Sequence, residues 1–485
     1  MKFKLIITVS TLLFLISSCS RNPVTGKKEL SFISKKQEIA MGQEYDPQIV
    51  AQFGLYKDDK LQKLVDRVGL SMAKNSHRPD LDYKFRILDS PVVNAFAVPG
   101  GYIYFTRGIL AHFNNEAELA GVMGHEIGHI TAKHSVKQMR NQTILQTLFV
   151  AGVIFSPEFA QVADVANQGI GLLFLRFSRA HERESDKLGV QYSTEQGYNA
   201  NKMAEFFKTL ERLGGGSGSL PQFLSTHPDP GQRYVTVNNY ADTLQSRLGF
   251  PESQLKINRN GYLDLIDGII VGEDPKQGYV ENGKFYHPEL LFEFQIPQSW
   301  QTNNSPSQVQ LIPEGGKAVI LFELEESKDL NTAANEFIQR NKINVIERNS
   351  TNVNGNQALA IVGEFKQQGQ NGETTNLRLL TYLIKYNNLV YKFMGLSAEK
   401  DFNSYFGNFK NTMTSFKKLT DSYKINKLPT RIRIVSAKST GTLESQLSAY
   451  DVDKGKYQEL SLLNGMELKE TIQAGMKFKI LEERK

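Results

Sequence analysis

Cysteine is almost absent: a single one, Cys19, stands in 485 residues. An intramolecular disulfide and a cysteine-ligated zinc centre are both excluded, so a transition metal here must be held by histidines and carboxylates. Long apolar runs are also lacking. Beyond the N-terminus none reaches the roughly 20 residues of a spanning helix, which argues against a multi-pass membrane protein. No charge sign dominates: 57 Lys and Arg against 51 Asp and Glu leave +6. That small, scattered excess is not the basic face of a nucleic-acid-binding protein, and no nucleic-acid partner is expected. Apolar residues at 40% and charged ones at 22% are those of an ordinary globular chain. Its length suggests about two to four domains.

What is present begins with a targeting segment. Lys2 and Lys4 precede an apolar stretch from Leu5 to Ile16, the length of a signal-peptide core. Leu15-Ile16-Ser17-Ser18-Cys19 resembles a bacterial lipobox, with the sole cysteine at the acylated position. Residues 1–18 are therefore expected to be a lipoprotein signal peptide, Cys19 the lipidated end of the mature chain, and 19–34 a polar tether. Acyl chains add roughly 0.8 kcal/mol of membrane affinity per buried methylene, so two or more anchor stably. Ser20, with no adjacent acidic residue, leans toward the outer membrane. The expected location is the bacterial cell envelope, lipid-anchored and facing the periplasm. The bland alternative is a plain signal peptide with an incidental cysteine.

Periodicity then predicts helices over 38–53 and 60–75 and strands over 83–88, 92–98 and 102–106, the last two around the turn Pro99-Gly100-Gly101. Residues 115–140 read as one long helix, capped by Asn114 or Asn115, with Glu116 and Glu118 at its positive end. Apolar runs at 144–155 and 170–177 are too short to span a membrane and suggest a buried hairpin or a membrane-facing plug. Helices follow over 178–197 and 200–213, then the flexible Gly214–Ser219, then a helix from Pro230 with proline in its first turn. The expected organisation is a multidomain α+β chain. A mainly helical domain spans 35–250, a connecting segment 251–280, an α+β domain 281–420 and a small unit 430–482.

The chemistry is carried by His125-Glu126-Ile127-Gly128-His129, an HExxH inside the long helix. Positions i and i+4 lie about 40° apart around a helix, so His125 and His129 can aim at one ion. Glu126 is turned roughly 100° away and is placed to reach a water beside that ion. Neutral imidazoles suit one Zn²⁺ per chain. A metzincin-type site would need Gly and His where Ala132 and Ser135 stand, so the third ligand is expected from a carboxylate on a later helix. His134 falls on a different face and reads as support for the site or as structure. Ser178-Arg179-Ala180-His181-Glu182-Arg183-Glu184-Ser185-Asp186 supplies the carboxylates. Glu182 and Asp186 share a helix face, so Glu182 can bind the metal while Asp186 orients a ligand histidine. His181 lies off that face, and His77, His112 and His287 look structural.

HEIGH followed by SRxxExxxD about fifty residues on resembles the zinc endopeptidases that include HtpX and the CAAX prenyl proteases. The stretch from Asn94 to Gly101 and Ser225-Thr226-His227-Pro228, followed by Arg233, match that family as well. The lipobox makes the chain most similar to the soluble, periplasmic BepA-like branch, over about residues 30–250. The tetratricopeptide helices common in that branch are not expected here. The resemblance implies a gluzincin-type domain with His125, His129 and Glu182 as zinc ligands and Glu126 as the catalytic carboxylate. It also implies an edge strand at Val92–Val98 on which an extended peptide pairs. Such a site suits unfolded or misassembled envelope proteins. His227 is the candidate second donor to the oxyanion, or a fourth ligand that holds the enzyme latent; a loop-capping histidine is the bland alternative.

Phe285 to Trp300 resembles the start of an accessory domain on lipoprotein peptidases of this branch, for which a spacer or docking role is expected. Residues 430–482 loosely resemble LysM, a β-α-α-β unit. The match lies in Gly441-Thr442-Leu443, Leu463-Asn464-Gly465 and Ala474 to Ile480. Peptidoglycan and the outer-membrane assembly machinery are thus conceivable partners. The leading function is a membrane-anchored zinc endopeptidase clearing damaged or misassembled envelope proteins. The competitors are a largely latent, chaperone-like assembly factor and a peptidoglycan-associated binding protein.

Overall fold

The computed structural model describes residues 19–30, 33–141, 177–215, 222–368 and 374–484. The signal peptide, the apolar runs at 144–155 and 170–176, and Gly216–Ser219 lie outside the described residues. At its start, Cys19–Arg21 pairs antiparallel with Lys28–Leu30.

Helix α1 (Lys35–Phe53) opens with a capping box in which Ser34 and Gln37 satisfy each other's free groups. Helix α2 (Asp59–Lys74) is capped by Asp58 and buries Leu61, Leu64, Val65, Val68 and Met72, one stripe at helical spacing. A three-stranded sheet follows: β1 (Lys84–Leu88), β2 (Ala95–Val98) and β3 (Tyr102–Thr106). β3 is central, parallel to β1 and antiparallel to β2, so β2 is the edge strand.

After α3 (Arg107–His112) comes the central helix α4 (Glu116–Thr131), every residue of which is buried. Its N-terminus is closed by reciprocal bonds. The Asn115 side chain accepts from Glu118 N–H, and Glu118 accepts from Asn114 N–H and Asn115 Nδ2. The single long helix expected over 115–140 is in fact two. Lys133 takes a left-handed φ of 56°, which ends α4 and starts α5 (His134–Asn141) in a new direction.

Helix α6 (Arg179–Glu195) lies against α4 at backbone distance. A Cβ on Gly124 would sit 2.9 Å from Gly189 O, and one on Gly189 would sit 3.0 Å from His125 N. This pair of glycines brings the first turns of α6 onto the face of α4 that carries His125 and His129. Helices α7 (Asn201–Gly214), α8 (Gln222–Thr226), α9 (Pro230–Arg247) and α10 (Arg259–Ile266) complete the domain. The segment expected to be a mere connection contributes α10, whose Tyr262, Leu263 and Ile266 enter the same core as α4.

Residues 301–398 form a seven-stranded antiparallel sheet with its own core. Helix Phe402–Thr414 packs on Ile320, Phe322 and Phe393. Helix Leu330–Arg340 packs on the opposite face. The C-terminal unit runs strand, helix, helix, strand: Thr430–Ser436, Leu443–Ala449, Tyr457–Leu463 and Lys477–Glu483. Its Ile432, Leu447, Leu460 and Phe478 join the core of the helical domain. Lys479, fully buried, donates to Ala111 O, Phe113 O and Leu463 O at 2.7–2.8 Å. A buried ammonium is tolerated because all three of its protons find carbonyls.

The Gly124–Gly189 contact yields the first prediction. Gly124→Ala should destabilise the protein by about 1–3 kcal/mol, because backbone rather than a flexible side chain must yield. Chemical denaturation of the purified variant measures this.

Candidate active site

Four side chains from three places in the chain converge inside the helical domain. α4 supplies His125 and His129, α6 supplies Glu182, and the residue after α8 supplies His227. Each offers one ligand atom, and these atoms lie within 4.8 Å of one another. His125 Nε2 and His129 Nε2 are 2.9 Å apart, and lie 3.6 and 3.4 Å from the two oxygens of Glu182. His227 Nδ1 is 3.0 Å from Glu182 Oε1 and 3.3 Å from His125 Nε2. All four residues are buried.

The donor set fits zinc. His125 Nδ1–H donates to Asp186 Oδ1 at 3.0 Å, which leaves the Nε2 lone pair free to face the cluster. Asp186 is in turn gripped by Arg233, through Nη2 at 2.7 Å and Nε at 2.9 Å. The guanidinium lies 4.2 Å over the ring of Phe207, and its Nη1 reaches Glu182 at 3.1 Å. Three nitrogens and a carboxylate turned toward one point, with no cysteine, match the ligand chemistry of catalytic zinc.

Glu126 differs from Glu182 in environment. Both of its carboxylate oxygens are buried and have no hydrogen-bond partner among the described residues. Burial pushes its carboxyl above the usual range, against the pull of nearby His227 and His125. Burial opposes ionisation of Glu182 too. There the charges of His227 and Arg233, with hydrogen bonds from His129 and His227, prevail and hold the carboxyl well below its usual value. Two neighbouring carboxyls pushed apart in this way suit a proton carrier and a permanently ionised ligand.

The expected site residues His125, Glu126, His129, Glu182, Asp186 and His227 are thus brought together. His227, which follows the flexible Gly214–Ser219 in sequence, would be expected on a loop able to move. It instead continues the turn of α8, its N–H donating to Phe223 O at 2.8 Å. Its ring stacks on Phe223 at 4.4 Å, and its Nε2, with no hydrogen-bond partner among the described residues, lies 3.8 Å from Glu126 Oε1. Phe177, just ahead of α6, lies 4.0 Å from His129 and 5.7 Å from His227, ring centre to ring centre. Sequence reasoning missed both phenylalanines. Phe177 merely ends an apolar run, and no spacing rule links either ring to a site assembled from distant segments. His77 bonds to Tyr192 OH, His112 to Gly108 O, and His287 to Leu290 N–H, all away from the cluster.

Fold and site together define an HExxH metallopeptidase domain whose third ligand comes from a following helix. Residues 59–241 match the model of Peptidase family M48, whose members are zinc-dependent metallopeptidases. The chain is 29% identical over 236 residues to the beta-barrel assembly-enhancing protease of Yersinia pestis, covering 46% of this chain and 48% of that one. The protein of the same name from Escherichia coli (strain K12) is 27% identical over 231 residues, covering 46% and 47%. The mitochondrial metalloendopeptidase OMA1 of Arabidopsis thaliana is 31% identical over 207 residues, covering 41% and 40%. The chain spans about half the length of the curated relatives it matches. Among the described residues, no helix is long and apolar enough to cross a membrane.

Elemental analysis of the purified protein should find about one zinc per chain. His129→Ala should lose it, because one imidazole fewer leaves a poorer set of donors.

Proposed function

We propose that this protein is a zinc-dependent endopeptidase of the bacterial cell envelope, anchored by lipid at Cys19, that cleaves unfolded or misassembled proteins. The observation that carries the reading is the bare carboxylate of Glu126 beside four convergent ligand atoms. His125, His129 and Glu182 would hold the metal, with Asp186 fixing the tautomer of His125. Zinc, when bound, supplies a Lewis acid that polarises the scissile carbonyl and acidifies water. Glu126 takes the proton of the attacking water on a carboxylate oxygen that no other group occupies. It then returns the proton to the leaving nitrogen. The surrounding apolar walls, Phe177 among them, keep bulk water from the reacting groups.

The edge position of β2 supports peptide binding by strand addition, which reads backbone rather than side chains and so favours unfolded substrates. Ala97 O now accepts from Ser135 Oγ, and Val93 O from Phe223 N–H. An incoming peptide would exchange with these contacts. The name of the Yersinia and Escherichia relatives, a protease that enhances β-barrel assembly, supports an envelope substrate. Peptidoglycan contact through residues 430–482 and a docking role for the seven-stranded domain belong to the same reading.

A second reading, a largely latent assembly factor, draws on His227. Its Nδ1 stands within the ligand cluster, as a fourth ligand would, rather than at a distance suited to an oxyanion alone. The resting enzyme is then restrained by its own histidine.

Glu126→Gln separates enzyme from binding protein. It should retain zinc and lower casein hydrolysis by roughly 10²-fold or more, the loss expected for a general base. Wild-type hydrolysis by this variant would refute the mechanism. His227→Ala should retain zinc and raise basal proteolysis. A fall of roughly 10²–10³ in turnover would assign His227 to the oxyanion instead.

A further inference from the structure

His125 has a carboxylate, Asp186, behind it; His129 does not. Behind His129 Nδ1 stands another imidazole, His134, with Nδ1 to Nδ1 at 3.1 Å. His134 is wholly buried, and its other nitrogen, Nε2, lies 3.1 Å from Glu184 Oε2. It owes this position to the break at Lys133, which turns the first residue of α5 back beneath α4. The ring of His181 stacks on it at 4.3 Å, nearly parallel, and Ser185 Oγ lies 3.2 Å from its Nδ1.

Only one arrangement of protons suits these distances when His129 Nε2 faces a metal. Its Nε2 must offer a lone pair, so its proton sits on Nδ1 and is donated to His134 Nδ1. His134 then accepts at Nδ1 and carries its own proton on Nε2, which is donated to the Glu184 carboxylate. Glu184 fixes the tautomer of His134, and His134 fixes that of His129. The reversed arrangement would place a proton on His129 Nε2, against the cluster.

We infer that His134 and Glu184 form a relay that sets the tautomer and ring orientation of His129, making His134 a positioning residue for the metal. This rests on the zinc-peptidase reading above. It gives the site two differently built arms. Behind His125 is a buried ion pair, Asp186 with Arg233. Behind His129 is a neutral imidazole leading to a carboxylate that is 29% exposed.

The test is zinc affinity, measured in the full chain by competition with a chromogenic chelator. His134→Leu should weaken zinc binding about 10–100-fold, the usual effect of removing a partner behind a ligand histidine. His134→Asn should recover most of that loss, because its amide oxygen can stand where Nδ1 stood and accept the same proton. Glu184→Ala changes a partly exposed side chain and leaves the core intact, so it remains informative if His134→Leu folds poorly. It should weaken zinc binding in the same direction by a smaller factor. Unchanged affinity in Glu184→Ala, or an Asn variant that binds no tighter than the Leu variant, would overturn the relay. A parent protein that binds no zinc would overturn the peptidase reading and the relay together. Normal zinc binding with full hydrolysis in Glu126→Gln would sink only the catalytic reading.

Discussion

Everything at this site depends on how closely two helices approach. Gly124 of α4 and Gly189 of α6 present bare backbone to each other, with no room for a side chain on either. That contact puts Glu182 and Asp186 within reach of His125, the residue after Gly124, and of His129 one turn further along α4. Wider spacing, of the 8–10 Å usual between helices with side chains at the contact, would leave a histidine pair on one wall and carboxylates on another. The candidate site is therefore built on secondary structure, its fourth corner supplied by the residue that continues the last turn of α8.

Burying so many ionisable groups is tolerable because each is matched. Arg233 answers Asp186 and Glu182 together and rests its flat face on Phe207. Isolated, each such ion would lose several kcal/mol in leaving water. Glu126 is the exception: neither carboxylate oxygen is hydrogen-bonded among the described residues, and its nearest charged neighbour, His227 Nε2, stands 3.8 Å away. A carboxyl left without hydrogen bonds where the neighbouring ions are so fully paired is the feature behind the role proposed for Glu126.

The candidate cluster was legible because two short-range rules were enough. The i, i+4 spacing pairs His125 with His129 and Glu182 with Asp186, and those pairs need only one helix–helix contact to meet. What escaped was anything set by a change of direction. A supporting role for His134 was readable, but helical periodicity runs smoothly through Lys133, and nothing in it announces the left-handed turn that sets His134 directly behind His129 Nδ1. Phe177 and Phe223 reach the site from segments with no pattern tying them to it. The segment 251–280 looked like a connection because one short helix, Arg259–Ile266, is too brief for its apolar residues to show a clear period. Only the packing reveals Tyr262 and Leu263 as core. The β-α-α-β order of the last unit could be read from its turns, but its share in the peptidase core could not.

That shared core carries a consequence for the order in which the molecule is made. Lys479 serves the carbonyls of Ala111 and Phe113 across 368 and 366 residues of chain, at the turn from which α4 departs. During synthesis these carbonyls, and the apolar surface around them, wait until Lys479 has emerged. Contacts of such long sequence separation form late and slowly. The helix bearing HExxH is therefore translated long before it is fully secured, so a chain cut short of Lys479 would carry His125, His129, Glu182 and His227 without the support that holds α4 in place.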